Sequence, residues 1–325
     1  MPNRTNGWGR LLGTAALALV LYELNVLFFL FLVPLQVILV RRGKGPYAAA
    51  AGLTLVGIAL LSLWRTSGLS SPGERVLLDL TEVVASGLFM VGIFLVTGGG
   101  GQRRLFRMLI SSGIAGLVSL PLLFALAESK GFAELIHSQV QAVVTLMKGS
   151  FAGGTAPARI DSLLNVDRLT VLVRQVVLSN FLFGYFVVLA GSWRLASVFT
   201  YRVQSSRPHP LSEFVVPEVL LWPVLVSWAL VAAERISGIS VLGYIGWNLG
   251  MIGAFLYALQ GIGIVQFWLA RYRVSMGLRF ILAAGIVLLL VWPPTGILVV
   301  VALPVLGISE LWVRYRRGQA GQAEE

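Results

Sequence analysis

A chain of 325 residues that is 57% apolar and only 12% charged, with a mean hydropathy of +0.85, has too little polar material to cover a water-soluble fold. Its net charge of +11 comes in short clusters between apolar runs, a pattern that orients a protein in a membrane and meets anionic headgroups; nucleic acid is not expected as a partner. The absence of cysteine excludes disulfides, thiolate metal sites and a cysteine nucleophile.

The chain opens with a basic stretch to Arg10 and an apolar block from Leu11 to Val40, too long for a cleaved signal peptide and expected to be retained. Tyr22, Glu23, Asn25 and Pro34 interrupt the block, and Arg41, Arg42 and Lys44 close it. It is either one long span or a short helical hairpin. Arg4 and Arg10 belong on the same side as the closing cluster, which favours the hairpin.

Further spans are expected at Tyr47–Leu63, Leu77–Val96, Phe106–Leu126, Val176–Val198, Val216–Ala233 and Leu242–Leu269. Leu278–Trp292 and Gly296–Val313 follow as a tight hairpin around Pro293 and Pro294. The strict alternation of barrel strands is absent, so the expected fold is all-α, a polytopic transmembrane helical bundle of about eight to ten spans. Residues 1–325 read as a single integral membrane domain.

Basic clusters at Arg103/Arg104/Arg107, Arg194/Arg202/Arg207, Arg271/Arg273/Arg279 and Arg314/Arg316/Arg317 fall on alternate joints with Arg41/Arg42/Lys44. These joints should be cytoplasmic, with residues 314–325 a cytoplasmic tail, in a multi-pass protein of the bacterial inner membrane. The other joints carry a mixed set that includes Arg65, Arg75, Lys130, Lys148, Glu234 and Arg235.

One sizeable insertion, 128–168, lies on the outer side in this topology. There Phe132, Ile136, Val140, Val143 and Met147 form an apolar stripe at helical spacing, opposite Glu134, Ser138, Gln141, Thr145 and Lys148. An interfacial helix or lid is expected, with Gly149 to Ala158 as a hinge and a second amphipathic stretch from Ile160. His137 shares a surface with Glu134 and Gln141; His209, between two prolines, reads as structural.

An ionisable group inside a span costs about 2.5–3.5 kcal/mol on insertion scales, so each needs a partner or a wet cavity. Asp79, Glu82 and Glu218 read as solvated or headgroup-level groups near span ends, Glu310 lies within the last span, and Glu23 can lie deeper. In the Leu242 span, Gly246, Gly250, Gly253, Tyr257 and Gly261 share a face suited to close helix packing. Asn248 and Gln266 lie opposite, and Gln260 lies between the two faces. Asn248, Tyr257, Gln260 and Glu23 are the candidate ligand-binding residues. Asn248 and Tyr257 could serve one pocket only if the span were kinked or unwound at its glycines.

Gly98 to Gly101 followed by Gln102, Arg103 and Arg104 lacks the GxxxxGK[ST] pattern and reads as a cytoplasmic connector, so any ATPase would be a separate chain. Without HExxH, GxSxG or paired intramembrane aspartates, no catalytic residue, metal or cofactor is expected.

Three segments resemble the YybS-like family of bacterial membrane proteins: FVVPEVLLWP at Phe214–Pro223, NLGMIGAFLYALQGIGIVQFWL at Asn248–Leu269 and VLGISELWVRYRR at Val305–Arg317. Pro217, Trp222, Asn248, Tyr257, Gln260, Gly261, Glu310 and Arg316 stand at the positions of the family pattern, and the early FLVPLQVILVRRGKGPYAAAAG is similar to its proline and basic-loop arrangement. In layout that family is similar to the substrate-binding subunits of energy-coupling-factor vitamin transporters, which take a solute from outside and dock on a separate ATPase module. The resemblance implies a solute-binding or transport-related component, with the 132–147 helix as its lid. The Ala-x-x-x-Ala docking surface of those subunits has only Ala48 to Gly52 as a counterpart here. The alternative is a non-catalytic scaffold or regulator of envelope or developmental processes, whose polar groups hold helices together.

Overall fold

A computed structural model describes residues 5–24, 28–68, 71–97, 101–151, 165–204, 210–291, 293–313 and 315–316. Asn25, Gly98 to Gly100, most of the Gly149 to Ala158 hinge, Ile160, His209 and the tail from Arg317 lie outside them. The described residues are helices and short turns, with no strand among them. They fall into two compact units, Met1–Ser206 and Arg207–Glu325.

The first unit begins with α1 (Thr5–Glu23), a 3-10 turn (Phe28–Phe31) and α2 (Leu32–Arg42). The first apolar block is therefore a hairpin. Tyr22 meets Phe31 edge to face across it, with ring centroids 5.3 Å apart. Pro34 sits in the first turn of α2, where a missing N–H breaks no helical hydrogen bond. Gly43, at φ +87°, turns the chain into α3 (Lys44–Thr66), and its N–H closes α2 on the Leu39 carbonyl at 3.0 Å.

The α4 helix (Pro72–Val96) starts from Ser71, whose hydroxyl accepts from the Glu74 N–H, with Pro72 in the first turn. It is followed by α5 (Gly101–Glu128), α6 (Lys130–Phe151), α7 (Val166–Ser179) and α8 (Phe181–Gln204). The expected Val176–Val198 span is thus split. Asn180 ends α7, its N–H bonded to the Val176 carbonyl at 3.0 Å, and the long helix restarts at Phe181.

The core of this unit gathers Phe31, Leu35, Ile58, Ile93, Phe186 and Leu189, each almost wholly buried. Tyr185 bolts α8 to two neighbours: its hydroxyl donates to the Leu88 carbonyl at 2.8 Å and meets the Ser111 hydroxyl at 3.1 Å. Gly92 makes room for it, because a Cβ there would collide with the Tyr185 hydroxyl.

Charge is sorted to the two ends of this unit. At one end Arg41 donates to the Phe199 carbonyl at 3.0 Å, Arg104 lies over the Trp193 ring at 4.3 Å, and Lys44 lies over Phe94 at 5.5 Å. At the other end Glu23, Arg65, Asp79 and Glu82 collect where α1 and α3 finish, and Glu74 accepts from the Gly131 N–H at 3.0 Å. We refer to these as the arginine end and the mixed end.

The α6 and α7 helices pack on each other through Ile136, Val140 and Val144 against Val166, Leu169 and Val173. The amphipathic helix expected over the 128–168 insertion is present, but its buried seam runs through Val144. Val143 and Met147 face away, exposed together with Leu135 and Leu146.

The second unit enters through 3-10 turns at Leu211–Glu213 and Glu218–Leu220. It continues as α9 (Leu221–Ser237), α10 (Ser240–Arg271), α11 (Met276–Val291) and α12 (Pro293–Ser309). Gly238, left-handed at φ +70°, caps α9 with its N–H on the Glu234 carbonyl at 2.8 Å and starts the turn into α10. At 32 residues α10 is about 48 Å long, well beyond a ~30 Å hydrocarbon core.

Helix α10 is the axis of this unit, and its glycines let two helices approach. Cβ atoms at Gly246 and Gly253 would strike α9, and one at Gly261 would strike the Leu303 carbonyl of α12. Gly307 of α12 returns the contact against the Tyr257 carbonyl. Without a hydrophobic force between helices in lipid, such close approach is what holds them together.

Among the described residues six helices are long and apolar enough to cross a membrane: Lys44–Thr66, Pro72–Val96, Arg103–Glu128, Phe181–Thr200, Glu218–Ser237 and Val241–Arg271. Met276–Leu289 and Thr295–Ser309 are shorter apolar helices. The fold is an all-α polytopic bundle.

Candidate functional site

The densest polar network in the first unit is at its mixed end, built by the last turns of α1 and α3 and the second and third turns of α4. Spacing explains the convergence: Ser62 and Thr66 stand four apart on α3, and Asp79 and Glu82 stand three apart on α4, so each pair shares a helix face. The Ser62 hydroxyl donates to Asp79, and the Thr66 hydroxyl lies 3.0 and 3.2 Å from its two carboxylate oxygens. Arg65 pairs closely with Glu82, which also accepts from the Tyr22 hydroxyl at 2.6 Å. Glu23 stands further from Arg65, at 3.8 Å.

This network is half open. The Arg65 and Glu23 side chains are 43% and 41% exposed and Glu82 is 23% exposed, so the outermost carboxylate can change partners while the inner ones are held. Beside it, the Glu74 contact to Gly131 ties the start of α6 to the first turn of α4. His137 on α6 faces α7, with Nδ1 3.4 Å from the Thr170 hydroxyl and 3.8 Å from Asp167. Among the described residues no three His, Asp or Glu side chains gather closely enough to hold a metal ion.

The other candidates lie on α10, in the second unit. The helix runs unbroken from Ser240 to Arg271, so Asn248 and Tyr257, nine positions apart, stay on opposite faces. Asn248 is buried and donates to the Tyr244 carbonyl one turn back at 2.9 Å. Tyr257 is fully buried, and its hydroxyl has no hydrogen-bond partner among the described residues.

Gln260 is occupied on both sides. Its Oε1 accepts from the Val216 N–H at 2.7 Å, and its Nε2 donates to the Gly307 carbonyl at 3.1 Å and to Glu310 at 2.9 Å. Glu310, just past the end of α12, takes both Nε and Nη2 of Arg316, and Arg316 also donates to the carbonyls of Ser212, at 2.6 Å, and Phe214. The two charged side chains are 10% and 11% exposed. One amide, one carboxylate and one guanidinium thus clamp the entry segment before α9 to α10 and to the end of α12.

Sequence reasoning singled out Gln260, Glu310 and Arg316 without joining them, and it read Glu310 as part of the last span. An acid six residues before an arginine, beyond a helix end, is the local signal for the pair. The glutamine's partners, 44 to 50 positions away, have no local signal. Ser62 and Thr66 were not singled out, and Tyr22 only as an interruption of the first apolar block; the convergence of their hydroxyls becomes visible only once α1, α3 and α4 are side by side.

Fold and polar network together define a polytopic integral membrane protein with a half-open ionic site at one end of its larger unit. Residues 14–308 match the family described as Predicted membrane protein (DUF2232), and the chain belongs to it. No curated protein and no solved structure matches the chain.

Proposed function

We propose that this protein binds a small solute carrying a cationic group at the mixed end of its first unit, as a non-catalytic, transport-related component that works with a separate energising partner. In this reading the mixed end faces outward and the arginine end the cytoplasm of a bacterial inner membrane, with the C-terminus inside. The observation that carries it is the arrangement around Arg65. Glu82 and Glu23 meet that guanidinium, the second at a long and exposed contact from which it can turn to a ligand, while Asp79 is held beside them by the Ser62 and Thr66 hydroxyls. The α6/α7 pair, tied to α4 through Glu74, serves as the lid. The layout resemblance to energy-coupling-factor binding subunits supports the partner, and Glu23 is the candidate ligand residue that this geometry favours over Asn248, Tyr257 and Gln260.

Thermal unfolding in lipid nanodiscs against a panel of amine-bearing and neutral metabolites tests the reading. A ligand at a hundredfold excess over its Kd stabilises by about 2.7 kcal/mol, enough to move the midpoint by several degrees. An amine-bearing compound should give that shift in the wild type and lose most of it in Glu23→Gln. A folded sample that answers no compound, or a shift indifferent to Glu23→Gln, overturns it.

The scaffold reading has its own support in the second unit, where the Gln260, Glu310 and Arg316 side chains are spent on internal contacts. Recovery of a stoichiometric membrane partner unconnected with transport, together with a silent ligand panel, would decide for it.

A further inference from the structure

The arginine end of the first unit holds an open groove of about 990 Å³ between α1, α2 and α8, at the upper limit of the ~300–1,000 Å³ typical of ligand sites. Its walls are apolar: Leu17 and Leu21 of α1, Val33 and Val37 of α2, Leu195 and Phe199 of α8. Its charge is that of Arg10, Arg41 and Arg42, and among the described residues no carboxylate lines it.

The register of α1 gives the groove its length. Arg10, Thr14, Leu17 and Leu21 follow one another at helical spacing along one face, and from Arg10 to Leu21 the helix rises about 16 Å. That is close to half of a ~30 Å hydrocarbon core. The groove is therefore about one leaflet deep, apolar along its length and cationic near one end. Arg41 is fixed there by its Nη2 contact to the Phe199 carbonyl, which uses one of five donors, and Arg10 and Arg42 are exposed beside it.

We propose that this groove is a specific site for one anionic phospholipid of the leaflet at the arginine end. The phosphate would sit among the Arg10, Arg41 and Arg42 guanidiniums, and an acyl chain would lie along α1, α2 and α8. Guanidinium forks match phosphate oxygens in pairs, and a monoanionic headgroup supplies the counter-charge that the groove lacks. A water-soluble anion would gain nothing from the apolar walls. A zwitterionic lipid would bring its own cation to three like charges. The site is at the opposite end of the unit from the proposed solute network and does not depend on it.

The full-length protein, reconstituted in nanodiscs with equal phosphatidylglycerol and phosphatidylcholine and released into mild detergent, can be weighed intact by native mass spectrometry. Phosphatidylglycerol should be retained at one per protein and at least tenfold over phosphatidylcholine. The double variant Arg10→Gln/Arg42→Gln should reduce retention at least tenfold, with Arg41 kept to preserve its contact to α8. Gly13 also lines the groove, and a Cβ there meets nothing within 4 Å, so Gly13→Trp should obstruct the path of the acyl chain and weaken lipid retention without unfolding the protein. Equal retention of the two lipids, or retention unchanged in both variants, overturns the proposal. So does protection of lipid-free protein by inorganic phosphate to the same extent as by phosphatidylglycerol, which would make this a phosphate site.

Discussion

The two units of this chain spend their polar side chains in opposite ways. In the first, charge is sorted to the ends, and at the mixed end it stays half open around Arg65. In the second, Gln260, Glu310 and Arg316 turn inward and are consumed in holding the chain to itself. The helix contacts differ in kind: a Cβ at Gly246, Gly261 or Gly307 would strike the main chain of a neighbouring helix, whereas in the first unit a Cβ at Gly57, Gly92 or Gly116 would meet side chains and one at Gly113, Gly184 or Gly191 nothing within 4 Å. A polar residue in a membrane helix therefore points to a ligand only where its partners leave it accessible.

The contrast breaks most visibly if Arg316 is removed. Arg316→Ala would leave the Glu310 carboxylate buried without its cation and release the Ser212 and Phe214 carbonyls, a loss of about 3–5 kcal/mol. Denaturation in detergent should show it, and limited proteolysis should cut in the 210–217 segment. Neutralising both partners, as Glu310→Gln with Arg316→Met, should be milder than either single change, because no lone charge remains. If Arg316→Ala is silent, the clamp is not what holds the second unit together.

Next in size is Gly307→Val. Its side chain would collide with the Tyr257 carbonyl and force α10 and α12 apart, costing about 1–3 kcal/mol as overpacking. Gly191→Ala, where a Cβ meets nothing within 4 Å, is the open-position control in the first unit, and it should cost nothing measurable in the same unfolding assay. Equal losses in the two variants would erase the distinction between the units' packing.

The same contrast shows what a sequence exposes and what it conceals. The α1/α2 hairpin was legible because Arg10 and Arg41 must share a side, a constraint independent of packing. The break at Asn180 was not, since hydropathy runs on from Val176 to Val198, and a single amide that ends one helix and precedes another leaves no trace in it. The buried seam of α6 was off by one residue for a related reason: Val143 and Val144 are both apolar, and only α7 decides between them. Glycine spacing on α10 announced close packing but not that two different helices share the service. Glu23 was recognisable as an interruption of an apolar block, while its setting beside Arg65 and Glu82 depends on helices far apart in sequence.

Glu82→Gln probes the half-open network with a smaller effect. The Arg65 pair is solvent-accessible, so its loss should cost only about 0.5–1 kcal/mol, and the new amide can still accept from the Tyr22 hydroxyl. Measured in the same denaturation series, a loss as large as that of Arg316→Ala would mean that the mixed end is as closed as the second unit.

The last expected effect is no larger than that of Glu82→Gln and has the opposite sign. Gly13 is an exposed position in the body of α1, facing the open groove, and nothing stands within 4 Å of where its Cβ would be. Gly13→Ala should therefore stabilise α1 by about 0.5–1 kcal/mol, since alanine restricts the unfolded chain and suits a helix interior better than glycine. A rise in unfolding midpoint of a few degrees at most is the expected reading. A fall would mean that α8 or α2 closes against α1 at this level, and the first unit would then be packed there as tightly as α10 is against its neighbours.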